Sequence, residues 1–445
     1  TPPAYKEAGN WKVAEPSDAI SRGTWWEIFR DAQLNALAQQ IEVSNQNVQV
    51  AEARLRQAEA LVEQSRAGLF PTLTANASAT RSRTPSVSGS VSSSNPAPVN
   101  VYNLSLNASW APDLWGSVRR AIESSVASAQ ASAANLAGVR LLAQSQLAIN
   151  YFQLRVLDTQ KQLLESTVAA YQKSFDLTRN RYAAGVAARA EVVLAEQQLR
   201  STQAQLIDVG VQRAQLEHAI AVLIGKAPAE FGLAPARLAT AVPSIPPALP
   251  SELLERRPDI AQAERQMAAA NAQIGVAQAA FFPSLTLSGI VGYRANSPPD
   301  WLTAPSRLWS VGPALAQTLF DGGSRSAVRR QAEAAYDASV ATYRQTVLSA
   351  FREVEDNLSA LRILEEEAKA QTEAVTLARL STELVLNQYK AGTVNFLNVT
   401  VVQAAQLNNE ANLVKIEGQR LVAAVTLVQA LGGGWGGLAA PTGGR

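Results

Sequence analysis

The sequence predicts four strands of a membrane β-barrel carried on long coiled-coil helices, laid out as two tandem structural repeats. Three observations predict it. Short runs with a period of two follow two Phe-Pro turns, two stretches of about 68 residues contain no proline, and the same order of features recurs about 210 residues later.

Composition narrows the function classes. In 445 residues, 47% are hydrophobic but only 6% aromatic, so much of the apolar content is small, mainly Ala, which suits closely packed helices. Charged residues make up 17% and the net charge is +2, with both signs interspersed, which leaves no basic patch for nucleic acid. Without cysteine there is neither a disulfide framework nor a thiolate metal site. No run of about 18 apolar residues exists, so no spanning helix is expected; barrel strands escape that test because only every second residue is apolar. No signal peptide opens the chain, as a mature secreted form would have it.

Taken in order, residues 1–30 are expected to be an extended N-terminal segment and 31–225 the first repeat. Its first strand, about 70–82, follows Pro71: Leu73, Ala75, Ala77 and Ala79 alternate with Thr72, Thr74, Asn76, Ser78 and Thr80. The second, about 99–111, sets Tyr102, Leu104, Leu106, Ala108 and Trp110 against Asn103, Ser105, Asn107 and Ser109. In the second repeat, 258–431, a strand at about 283–294 places Leu285, Leu287, Gly289, Val291 and Tyr293 on one face, with Ile290 breaking the polar face. A fourth, about 306–319, is the weakest, since Pro313 lacks a ladder donor and wants an edge or a bulge. Nine-residue strands with one apolar face, one small polar face and aromatic ends match an outer-membrane barrel. Tyr102, Trp110, Tyr293 and Trp309 are the expected membrane-interface aromatics. The segments "TPSVSGSVSSSNPAP" and "ANSPPDWLTAPS" read as long exterior hairpin loops. A soluble β-sandwich edge is the competing reading of the strands alone.

Ser117 to Ala184 and Ser324 to Ala391 read as uninterrupted helices of about 100 Å. Alternate steps of three and four from Val340 reach Val347, Ala350, Val354, Leu361, Ala368 and Val375, with only Asn357 and Gln371 breaking the seam, a period that requires lengthwise packing. "RYAAG" ending at Gly185 and "QYKAG" ending at Gly392 lie 207 residues apart, and "VRRAIESS" at Val118 parallels "VRRQAEAA" at Val328. The Pro-rich stretch 226–257 is expected to be the linker between repeats and 432–445 a Gly-rich tail. Four strands cannot close a barrel and lipid tolerates no open strand edge, so the chain is expected to oligomerise. Two copies would give eight strands and three would give twelve, and sequence physics does not choose.

"LLERRPDIAQAERQMAAANAQIGVAQAAFFPSLTLSG" and "VGPALAQTLFDGGSRSAVRRQAEAAY", with the two glycine turns, strongly resemble the outer-membrane factors of the TolC family, in the branch serving resistance-nodulation-division drug efflux pumps. The resemblance covers nearly the whole chain. It implies a homotrimer with a twelve-strand barrel surrounded by outer-membrane lipid, a long α-helical barrel across the periplasm, and an equatorial belt. It also implies a periplasmic adaptor and an inner-membrane resistance-nodulation-division transporter as partners. Members of that branch are often lipoproteins with an acylated N-terminal Cys; the start "TPPAYKEAGNWK" lacks that residue.

A passive exit duct must be shut at rest, and the helix turns near 185 and 392 are the expected periplasmic tips. In relatives the second tip carries a Leu and one or two Asp residues that constrict the pore. Motif alignment puts these at Leu397, Asn398 and Val401, so rings of Leu397 and Val401 would close mainly by dewetting, with Glu191 supplying some acidic character. Ordinary helix packing is the competing reading of Leu397 and Val401. Gly185 and Gly392 would make the reversals, and Val186, Ala187, Thr393 and Val394 beside them are expected to be exposed and to meet the adaptor.

Enzyme readings find no support. The one histidine, His218, reads as a helix surface residue, Glu365 to Glu367 as a solvated face, and "LGGGWGG" lacks the strand and Lys-Ser/Thr of a phosphate loop. No cofactor and no metal are expected. Protein secretion or metal efflux through the same kind of duct remains an alternative, as does a barrel-anchored trimeric coiled-coil adhesin or spacer. Embedding of the hairpins between helices in each repeat argues against the adhesin. One Met, one His and no Cys argue against metal cargo.

Overall fold

The structure, a computed structural model, describes residues 24–83, 97–243 and 256–433. A 3-10 turn at Trp25–Phe29 leads into helices α1 (Ala32–Ser44) and α2 (Gln46–Ala67), strands β1 (Thr72–Ser82) and β2 (Val99–Trp110), and helices α3 (Ser117–Ala183) and α4 (Arg189–Leu223). After a second short turn, Pro228–Glu230, follow α5 (Pro258–Ala279), β3 (Ser284–Ala295), β4 (Arg307–Ala316), α6 (Ser324–Lys390) and α7 (Phe396–Ala430). Corresponding helices match in length: α2 and α5 have 22 residues, α3 and α6 have 67, α4 and α7 have 35. Compactness nevertheless divides the chain across the repeats. One unit draws on 1–54, 132–262 and 344–445, the other on 55–131 and 263–343.

The second unit holds the sheet, antiparallel throughout in the order β1-β2-β3-β4, so the two hairpins join through β2 and β3. Register carries the alternation across all four strands: Leu73 lies opposite Ala108, Leu106 opposite Val291, and Val291 opposite Trp309. The apolar residues therefore share one face, and it is bare, with Leu73 70% and Val311 78% exposed. Thr74, Asn76, Asn107, Thr286 and Ser288 fall on the other face. Pro313 sits in edge strand β4 opposite Leu287, where a missing donor is tolerated. The fourth strand stops at Ala316, three residues short of the expected end, and the second stops at Trp110. Below the sheet, the Trp115 ring stacks on Phe282 at 4.8 Å, and Ser124 Oγ donates to the Ala269 carbonyl at 3.1 Å.

In the first unit the long helices pack along the expected seam. Ala350, Val354, Leu361, Ala368 and Val375 of α6 are buried. The two polar interruptions are satisfied from α7: Thr426 Oγ1 donates to Asn357, and Gln371 Nε2 donates to Asn409 Oδ1 at 2.9 Å. A half-buried amide with a partner on the facing helix fixes which layers of two helices face each other.

Three segments show detail beyond what the sequence predicts. The N-terminal segment is not extended at its end: Trp25–Phe29 coil into a turn that buries both tryptophans, with the Phe29 ring 5.0 Å from Phe152. Asp31 then caps α1, accepting from the Gln33 and Leu34 amides and from the Tyr151 hydroxyl at 2.7 Å. Residues 1–23 lie outside the described residues. The linker is more than a joint. Its stretch 233–238 is strapped to α3 and α4: buried Asp158 accepts from Arg155 at 2.8 Å, Arg213 at 2.7 Å and the Ala236 amide at 3.0 Å, and Arg155 donates to the Ala234 carbonyl. The low cost of keeping these charges buried follows from every carboxylate oxygen having a cationic or amide donor. Residues 244–255 of the linker and 84–96 of the first hairpin loop lie outside the described residues. Finally, the expected tail begins with a helix cap. Gly432 and Gly433 have φ of +91 and +58, are buried, and their amides close α7 on Gln429 and Val428. The rest of the tail, 434–445, lies outside the described residues.

Candidate functional site

Both hairpin tips are built by the same backbone device. Helix α3 ends at Gly185, φ +78, where the Gly185 amide bonds to the Tyr182 carbonyl and the Val186 amide to that of Arg181. Helix α6 ends at Gly392, also φ +78, with the Gly392 and Thr393 amides bonded to Tyr389 and Gln388. Glycine is required because the left-handed conformation brings a Cβ against the following carbonyl. The next helices start on Ala188, which makes no side-chain cap, and on Asn395, whose side chain accepts from the Asn398 amide.

Side chains then separate the two tips. Tyr389 is 1% exposed and its ring meets Phe396 edge-on at 5.4 Å; with Ala195 and Val399 these form a small core where all four long helices meet. The counterpart of Tyr389, Tyr182, is 45% exposed. Arg181 reaches from the first tip over the second, its guanidinium 4.8 Å from the Tyr389 ring centre and donating to the Tyr389 carbonyl at 3.0 Å. It thereby adds a second donor to a carbonyl that already accepts from the Gly392 amide, and places a cation at the negative end of the helix dipole. The Tyr389 hydroxyl donates to Glu191 Oε2 at 3.2 Å and lies 3.2 Å from Thr178 Oγ1. Burial pushes that hydroxyl's pKa above the ordinary tyrosine value, and the neighbouring Glu191 carboxylate adds to the effect.

Leu397 and Val401 stand 54% and 60% exposed on α7, with Asn398 exposed beside them. Packing in that turn is done by Phe396 and Val399 instead, so Leu397 and Val401 are not core positions of the single chain. Glu191 is half-buried and engaged with Tyr389. Val186 and Thr393 are exposed beside their glycines, whereas Ala187 is half-buried and Val394, expected to be exposed, turns inward against the Tyr389–Phe396 core. That correction follows from Val394 lying between the two aromatic residues that the core recruits. In the other unit, Tyr102 packs against Trp301 at 5.7 Å, Trp110 donates to the Leu69 carbonyl at 3.0 Å, Trp309 is exposed and Tyr293 is half-buried.

Arg181, Tyr389 and Phe396 were not singled out in the sequence. The signal lay where the repeats disagree: Arg181 aligns with Gln388, and Phe396 with Arg189. Higher in the same unit, α3, α4, α6 and α7 enclose an open cleft of about 1050 Å³ whose polar wall is mostly amide, including Gln153, Gln212, Gln215 and Asn357. His218 is exposed, and among the described residues no group of His, Cys, Asp or Glu is placed to hold a metal.

The family model described as outer membrane efflux protein matches residues 37–226 and 249–433. The chain is similar to the pyoverdine export outer membrane protein OpmQ of Pseudomonas aeruginosa, with 32% identity over 95% of this chain and 90% of that protein. Among solved structures, the outer-membrane channel OprN superposes with a TM-score of 0.87 at 32% identity, covering 98% of this chain and 97% of that one. The outer membrane protein VceC of Vibrio cholerae gives 0.83 at 28% identity over 94% and 99% of the two chains.

Proposed function

Because the chain belongs to the outer membrane efflux protein family, we propose that three copies assemble into one exit duct for a tripartite efflux pump. Members are outer-membrane channels of efflux pumps and not enzymes. The observation that carries the trimer is the four-stranded sheet with a continuous bare apolar face and two unpaired edges, β1 and β4. Lipid covers the face, but an open edge in lipid leaves amides and carbonyls unsatisfied, so β4 of one copy joins β1 of the next. Eight strands would leave an interior that side chains fill, whereas twelve leave room for water, and the Ser, Thr and Asn face suits a wet lumen.

On this reading the hairpin loops face outward and the Gly185 and Gly392 turns are the periplasmic tips. Leu397 and Val401 form threefold apolar rings with Asn398 between them, and the constriction closes by dewetting. The Tyr389, Glu191 and Arg181 contacts hold the two hairpins of each copy together in the closed state. Gly185, Val186, Ala187, Gly392 and Thr393 present the surface that a periplasmic adaptor grips, with Val394 supporting it from inside. An inner-membrane resistance-nodulation-division transporter supplies the energy, and the cargo is small organic molecules.

Single-channel conductance in a planar bilayer tests this reading. The unmodified protein is expected to be nearly closed, and Leu397→Ser with Val401→Ser to raise conductance severalfold. Large conductance before substitution would keep the duct and discard the apolar gate; no conductance in any variant would remove the duct itself.

A further inference from the structure

We propose that Arg81, Arg83 and Arg307 bind the phosphates of a phosphorylated glycolipid in the leaflet around the loop end of the barrel, at the seam between copies. The inference rests on the trimeric barrel described above. Residues 72–110 and 284–316 together carry four arginines, no lysine and one carboxylate, Asp300. That carboxylate is engaged inside its own loop, where Ser297 Oγ donates to it. The four arginines are also all at one end of the sheet: Arg81 lies opposite Asn100, Arg294 opposite Asn103 and Arg307 opposite Tyr293, with Arg83 just past the end of β1. All four are exposed, and no carboxylate among the described residues pairs with any of them. The loop stretch 84–96 contains no Asp or Glu that would do so.

Alternation sorts them by face. Arg81 continues the apolar row of Leu73, Ala75, Ala77 and Ala79, and Arg307 continues that of Trp309, Val311 and Leu315, so both border lipid, while Arg294 falls on the polar face with Ser288. Arg81 and Arg307 lie on the two edge strands of the sheet. Closing the barrel sets those strands about 4.8 Å apart between neighbouring copies, which gathers cations near the depth of the loop ends without a protein anion beside them. Trp309 and the Tyr102–Trp301 pair mark that depth as headgroup level. A lipid whose headgroup carries phosphate supplies the missing charge, and guanidinium is suited to it by its paired donors.

The test uses the purified full-length protein in detergent, with native mass spectrometry reading both oligomer and bound lipid. Lipid A is the probe; dephosphorylated lipid A and inorganic phosphate are the comparison ligands. Binding of lipid A to the trimer is expected to weaken at least about tenfold in the triple variant Arg81→Gln, Arg83→Gln, Arg307→Gln. Arg294→Gln should leave it unchanged, and Arg307→Lys alone, a milder change should the triple variant not assemble, should retain more binding than Arg307→Gln alone. Neither dephosphorylated lipid A nor inorganic phosphate should bind comparably. A trimer that binds lipid A equally with or without these arginines, or that loses as much binding in Arg294→Gln, overturns the inference and leaves the duct standing. A chain that is never trimeric removes the duct reading and this inference with it.

Discussion

The two hairpin tips share a backbone and differ in nearly everything attached to it. Each ends a 67-residue helix on a glycine at φ +78 with the same pair of closing hydrogen bonds. Around that common turn, the second tip buries Tyr389 and Phe396, whereas the first exposes Tyr182 and Arg189 and contributes Arg181 to its neighbour. Duplication copied what the turn needs to exist; side-chain divergence made one hairpin a clasp and the other the thing clasped.

The largest effect that would break this comparison comes from its aromatic core. Phe396→Ala should cost about 3–5 kcal/mol and lower the melting temperature clearly at fixed protein concentration, while Arg189→Ala at the aligned position of the first tip should change little. Equal effects would mean that the tips are not differentiated. Arg181→Gln, which restores the residue of the other repeat, should cost about 1–2 kcal/mol and raise protease cleavage near residue 392, since it removes both a charged hydrogen bond and a cation over the Tyr389 ring. Smaller and deliberately symmetrical, Gly185→Ala and Gly392→Ala should each cost about 1 kcal/mol; a marked inequality in their melting shifts would show that the turns are not equivalent.

Smallest is a pH effect. Burial raises the Tyr389 pKa, so the folded state holds this proton more tightly than the unfolded chain. The corresponding stability is complete below the ordinary tyrosine pKa near 10 and is lost as pH rises through the higher folded value. Tyr151, pushed up to about 12 by burial and by its bond to Asp31, adds to the same alkaline window. Melting curves between neutral pH and about pH 11 should fall less steeply for Tyr389→Phe than for the unmodified protein; an unchanged slope would remove this contribution.

Much of this was written in the chain itself. Period-two runs named both hairpins, and strand ends missed by at most three residues because residues such as Leu319 continue the apolar row of Val311 and Leu315 past the last paired residue. The long helices followed from the absence of proline, and the turns from glycines in matching pentapeptides. Leu397, Asn398 and Val401 were singled out by alignment of a motif as gate candidates, yet the clasp beside them was not, because Arg181 and Tyr389 sit 208 residues apart and nothing local announces that they touch.

By itself, then, the sequence determined the elements, their lengths, their two faces and their repetition, since periodicity, propensity and left-handed glycines act over a few residues. Tertiary structure alone decided that β2 pairs with β3 across the repeats, that Asp158 and Arg213 strap the linker onto α3 and α4, and that Trp25–Phe29 fold inward. Each of those depends on which distant surfaces can be brought together while most buried donors and acceptors find partners, and that is a property of packing in three dimensions, not of any local pattern.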